Sequence, residues 1–130
     1  MQKLIQIQTQ GRDQAVDITP RVAEVVAASG VAEGWCTVYV PHTTAAVTVN
    51  EAADPDVMAD LLAALDRLAP WRAGYRHAEG NAAAHVKSVL VGASARVPVS
   101  GGRLALGTWQ GVFFMEFDGP RARQARVVVG

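Results

Sequence analysis

A chain of 130 residues is long enough for one domain with its own core, and a second domain has no room. Twelve basic and twelve acidic side chains balance to a formal net charge of zero, so there is neither the basic footprint of a nucleic-acid binder nor an attraction to an anionic membrane surface. One cysteine gives no disulfide framework, and no run approaches the roughly 18 apolar residues of a membrane span. A soluble cytoplasmic protein is expected, with a small molecule or another copy of itself as partner.

In chain order, residues 3–9 alternate apolar and polar side chains, the period of a half-buried strand, and AVDI after the turn at Gly11 to Asp13 reads as the returning strand of a hairpin. Thr19-Pro20 reads as an N-cap with proline in the first turn of a short helix that carries Val22, Val25 and Val26 and stops at Gly30. Trp35–Val40 and Thr44–Val49 are two β-branched strands joined at Pro41-His42. Cys36 sits in the first of them as a buried structural thiol.

DPDVMADLLAALDRLAP is the clearest helix. Asp54 caps it, Pro55 opens it and Pro70 ends it, with Val57, Met58, Leu61, Ala64, Leu65 and Leu68 on one stripe. A second helix runs from about Asn81 to Val91, with Ala82, Val86, Val89 and Leu90 inward and Gly92 closing it. The final third is β: ARVPVS, a Gly101-Gly102 turn, RLAL, QGVFFMEFD and ARVVV. Strands at both ends with helices inserted between them describe an α+β domain on antiparallel sheets, spanning residues 1–130.

The chemistry concentrates in three histidines, His42 in PHTT and the pair His77 and His85 in HAEGNAAAH. Imidazole is the commonest metal ligand and titrates near neutrality, so the three point to one shared site, in which an open fourth position on a tetrahedral metal is the catalytic arrangement. His42 precedes the hydroxyls Thr43 and Thr44 at the rim of a sheet, while Glu51, Glu79 and Glu116 are available to orient ligands or act as general base. Gly80, Asn81 and Ala82 open a helix whose free backbone donors suit a phosphate, with Lys87, Arg121 and Arg123 as sources of charge. Trp109 and Gln110, between glycines in LGTWQGV, read as a pocket wall or interface anchor.

Together HTTAAVTVNE at 42–51, DPDV at 54–57, HAEGNAAAHVKS at 77–88 and LGTWQGVFFMEFDGPR at 106–121 closely resemble the YjbQ-like family, also called the secondary thiamine-phosphate synthase family. The resemblance implies an α+β fold with a twisted antiparallel β-sandwich core, a homotrimer, and a weak thiamine-phosphate synthase activity known for some members. It also implies that His42, His77 and His85 share a pocket that holds a metal, with Asn50, Glu51, Asn81, Thr108, Trp109 and Gln110 around it.

Joining a pyrimidine diphosphate to a thiazole phosphate calls for magnesium held by carboxylates, whereas three histidines suit zinc or a similar divalent metal. The leading expectation is therefore a small trimeric enzyme acting on a phosphorylated small molecule, with catalytic His42, His77, His85 and Glu51, and with substrate held by Thr43, Asn50, Gly80, Asn81, Thr108, Trp109 and Gln110. A non-catalytic metabolite- or metal-binding protein using the same pocket is the rival, and turnover separates the two.

Overall fold

Alternating strands have one face to bury, and here two sheets bury theirs against each other. The computed structural model describes residues 1–130. The elements are β1 (Gln2–Gln8), β2 (Gln14–Asp17), α1 (Thr19–Ser29), β3 (Gly34–Tyr39), β4 (Ala45–Glu51), α2 (Pro55–Leu68), α3 (Ala82–Val91), β5 (Ser94–Ser100), β6 (Arg103–Leu104), β7 (Gln110–Glu116) and β8 (Ala122–Val129). Strands β1-β8-β3-β5-β6 form the larger sheet and β2-β7-β4 the smaller, every pairing antiparallel. The α+β class is as expected. No helix is long and apolar enough to cross a membrane.

The main core lies between the sheets. Ile5, Ile7, Val38, Val97, Val99, Val127 and Val129 of the larger sheet meet Val47, Val112 and Phe114 of the smaller, and α1 adds Val22, Val25 and Val26. Cys36 is buried in this layer, and burial pushes its thiol up to about 11. A second apolar cluster forms on the opposite face of the smaller sheet, where Ala46, Phe113 and Met115 pack against Met58 of α2 and Ala84 of α3. Strand β7 is thus covered on both faces, which is why GVFFME is continuously apolar up to its last residue.

Three sequence expectations change. Residues 3–9 and AVDI form strands but no hairpin: β1 registers with β8, Gln2 opposite Val128, while β2 registers with β7, Gln14 opposite Glu116. The chain leaves one sheet for the other at Thr9, whose backbone N–H donates to Arg121 O and whose hydroxyl donates to Glu116, and these bonds replace a hairpin turn. Thr19 is already helical. Ile18 holds the N-cap position without a side-chain bond, and Asp17 before it supplies the acceptor, its Oδ1 accepting from both the N–H and the hydroxyl of Thr19.

The last change matters most for function. Helix α3 buries Ala83, Ala84, Lys87 and Ser88 and leaves Val86, Val89 and Leu90 exposed, Val89 by 83%. Small side chains let the helix approach β4 closely, and Ser88 Oγ donates to Ala45 O at 2.7 Å. Lys87, 0% exposed, reaches Asp13 Oδ2 at 2.6 Å and Asp66 Oδ1 at 2.8 Å, so it ties α3 to α2 and to the β1–β2 crossing rather than offering charge to a ligand. On α2, Asp54 Oδ1 caps Asp56 N as the sequence indicates, but only Met58 of the stripe is fully buried and Leu68 is 72% exposed.

Candidate functional site

Helix α3 carries His85 at the border between its buried face and its exposed apolar face. The segment between α2 and α3 folds back over the helix start, and His77 meets His85 edge to face with ring centroids 5.3 Å apart. Glu79 Oε2 lies 3.7 Å from His77 Nε2. Beside the pair is a cleft of about 520 Å³ walled by Trp71, Tyr75, His77, Glu79 and Gly80. Tyr75 is held there by its hydroxyl, which donates to Pro70 O, and Trp71 is backed by the Arg12 guanidinium 4.5 Å from its ring centre.

The start of α3 has no side-chain cap, and Gly80 takes φ 79°, a conformation that glycine adopts without strain. Asn81 turns its side chain away from the helix, donating from Nδ2 to Asp118 Oδ2 at 2.9 Å, while its Oδ1 is buried without a partner. Asp118 also accepts from Arg121 Nη2 at 3.3 Å and so joins the start of α3 to the rim that carries His42. Sequence reasoning passed over Asp118; its only signal was its place in the motif EFDGPR.

His42 stands in the crossing from β3 to β4, half-buried, with its ring edge-on to Phe114. Its Nε2 accepts from Gln124 N at 3.1 Å. Burial holds the imidazole below its ordinary range, helped by the positive charges of Arg123 and Arg121. A cleft of about 530 Å³ opens here between His42, Thr43, Tyr39 and Arg121, with Arg123 in its lining. Arg123 is satisfied: Nε and Nη2 reach the Glu116 carboxylate, and Nη2 also donates to Thr44 Oγ1 at 2.8 Å. Glu116 is therefore an ion-pair partner under the site. Burial raises its carboxyl, but the bonds from Arg123, Thr9 and the Asp118 N–H outweigh burial and leave it below its ordinary value.

Asn50, Glu51, Thr108, Trp109 and Gln110 gather at the far end of β4 and the start of β7, where Glu51 pairs with Gln110 and Ala52 N donates to Trp109 O. Trp109 is 63% exposed. Glu51 lines a smaller cleft of about 280 Å³ with Asp17, Asp54 and Phe113. At about 3.4 Å per residue, the length of β4 separates this group from His42 by roughly 20 Å.

Within one chain, then, the sequence-selected residues form a histidine pair, a basic rim joined to it through Asp118, and a tryptophan corner at the other end of the sheet. No group of three His, Cys, Asp or Glu side chains is placed to hold a metal ion, so the three histidines do not close into one ligand set within a single chain.

The same chain plan occurs in known proteins. A family model described as UPF0047 protein YjbQ-like matches residues 3–130. The UPF0047 protein YugU of Bacillus subtilis is 52% identical over 95% of this chain and 94% of its own, and a UPF0047 protein of Methanocaldococcus jannaschii is 48% identical over 95% and 90%. Among solved structures, a YjbQ/UPF0047 family protein of Clostridium acetobutylicum superposes with a TM-score of 0.97 at 46% identity, covering 98% of this chain and 99% of its own. A protein of Sulfolobus solfataricus, described as YbjQ-like and of unknown function, superposes with a TM-score of 0.96 at 34% identity, covering 99% and 95%. With motifs, fold and near-complete coverage in agreement, the chain is a member of the YjbQ-like UPF0047 family.

Proposed function

We propose that the protein is a small enzyme that transfers protons to and from a phosphorylated small molecule at the His77–His85 pair. The observation that carries this reading is the approach of two imidazoles to 5.3 Å, one of which, His77, lines an aromatic-walled cleft. Imidazole both accepts and donates protons near neutral pH, so one ring can act as base while the other acts as acid. Trp71 and Tyr75 offer flat apolar surfaces to a heteroaromatic ring. Glu79 Oε2, 3.7 Å from His77 Nε2, is near enough to orient that ring.

The donors of one chain do not fit a resident catalytic metal: two paired imidazoles fall short of the three protein ligands of a catalytic zinc, and no carboxylate cluster for magnesium stands beside them. The proton-transfer chemistry proposed here therefore needs the histidines alone. Metal would enter only if another copy supplied a further donor. A homotrimer is part of the proposal, supported by the exposed Val86, Val89 and Leu90 that run directly from His85 and by the exposed Trp35 and Trp109. Contact between copies is also the way in which the Trp109 corner of one subunit would reach the histidine pair of the next.

Thiamine-phosphate synthase activity is the reaction to assay first, with a pyrimidine diphosphate and a thiazole phosphate as substrates, followed by a panel of phosphomonoesters. Substrate turnover that falls in the His85→Ala protein supports an enzyme. Binding without turnover across the panel transfers the pocket to the rival reading, a metabolite-binding protein.

A further inference from the structure

We propose that the cleft between His42, Thr43 and Arg121 is an oxyanion site that seats the phosphate group of a small ligand. It deepens the reading above by naming where the phosphate sits, yet it stands on the cleft of a single chain and does not need the histidine pair to be catalytic.

Three donor side chains line the cleft. Gln124 N–H occupies Nε2 of His42, so the neutral imidazole carries its proton on Nδ1, and no acceptor of the chain takes it. Thr43 is exposed and its hydroxyl bonds to nothing in the protein, whereas Thr44 beside it is buried against Arg123. The Arg121 backbone is fixed on both sides by Thr9, whose N–H donates to its carbonyl and whose hydroxyl accepts from its N–H. Its side chain stays half exposed and uses only Nη2, toward Asp118, which leaves the Nε edge of the guanidinium free. No carboxylate lines the cleft, and the Glu116 behind it is fully engaged with Arg123 and Thr9.

Imidazole N–H, hydroxyl and guanidinium in one cleft match the three terminal oxygens of a phosphate monoester better than the two of a carboxylate. The uncapped start of α3 is the poorer seat, because Glu79 lines the cleft beside it whereas the cleft at His42 has no carboxylate in its lining.

The test is titration of the full chain with inorganic phosphate at constant ionic strength, followed by backbone amide NMR, with acetate as the comparison anion. Saturable shifts at Thr43 and Gln124, with a dissociation constant on the order of 1 mM, are expected. Arg121→Gln and Thr43→Val should each weaken binding about tenfold or more while the rest of the amide spectrum keeps its folded pattern. Shifts confined to Gly80–Ala82, unchanged affinity in both variants, or acetate binding as tightly as phosphate would each overturn the assignment. Loss of turnover on changing His85 has no bearing on this result, so the two readings fail separately.

Discussion

Arg123 and Glu116 meet inside the protein with their side chains only 3% and 0% exposed, and Nε of the arginine lies 2.8 Å from Oε1 of the carboxylate. The pair joins β8 to the end of β7 and, through Thr9 and Thr44, ties in two of the places where the chain crosses between sheets, from β1 to β2 and from β3 to β4. Removing one charge leaves the other stranded, so Glu116→Gln should destabilise the fold by about 3–5 kcal/mol, measured by urea unfolding. The carboxyls of Glu116 and Asp66 are both held below their ordinary values in the folded state. Their contribution is thus complete above the unfolded values, near 4, and is lost as pH falls through the folded ones. Acid unfolding should steepen below about pH 4, and Glu116→Gln should flatten part of that dependence.

Lys87 provides a second test of the frame. It is fully buried while Asp66, one of its two partners, is half exposed and can be rehydrated, so Lys87→Met should cost less than a fully buried pair, about 2–3 kcal/mol. A loss as large as that of Glu116→Gln would show that Asp13 carries most of the interaction.

The exposed face of α3 predicts assembly. Light scattering across a dilution series should give three times the chain mass, and Val89→Asp, which places a charge on the most exposed residue of that face, should shift the protein toward monomer. Unchanged mass in the variant would move the interface elsewhere on the surface.

Cys36 is predicted to be inert. Its thiol is buried and pushed up to about 11, so the folded protein at pH 8 should resist a thiol reagent that labels it rapidly in urea. Cys36→Ser should leave turnover nearly unchanged.

Much of this was legible in the sequence, and the failures share a cause. Asp54-Pro55 announced α2 because capping is local chemistry, and β7 shows in the sequence as the short apolar run GVFFM, which a strand covered on both faces requires. The β1–β2 hairpin was misread because alternation tells which face of a strand is buried but not which partner it pairs with. On α3 the rule that large apolar residues face the core failed: alanines and Ser88 allow close packing on β4, and two aspartates far off in sequence draw Lys87 inward. The proximity of His77 and His85 could be read from the turn before α3. The separate position of His42, fixed by Gln124 eighty-two residues away, could not.

The measurement that bears most directly on the proposed function is turnover by the pure assembled protein carrying His77→Ala, His85→Ala, or both. If the pair acts as one proton-transfer unit, each single change lowers kcat by roughly 10²-fold or more and the double change lowers it little further, because residues acting as a unit are not additive. If all three variants fold, assemble and turn over at the rate of the unaltered protein, the histidine pair is not the reactive centre.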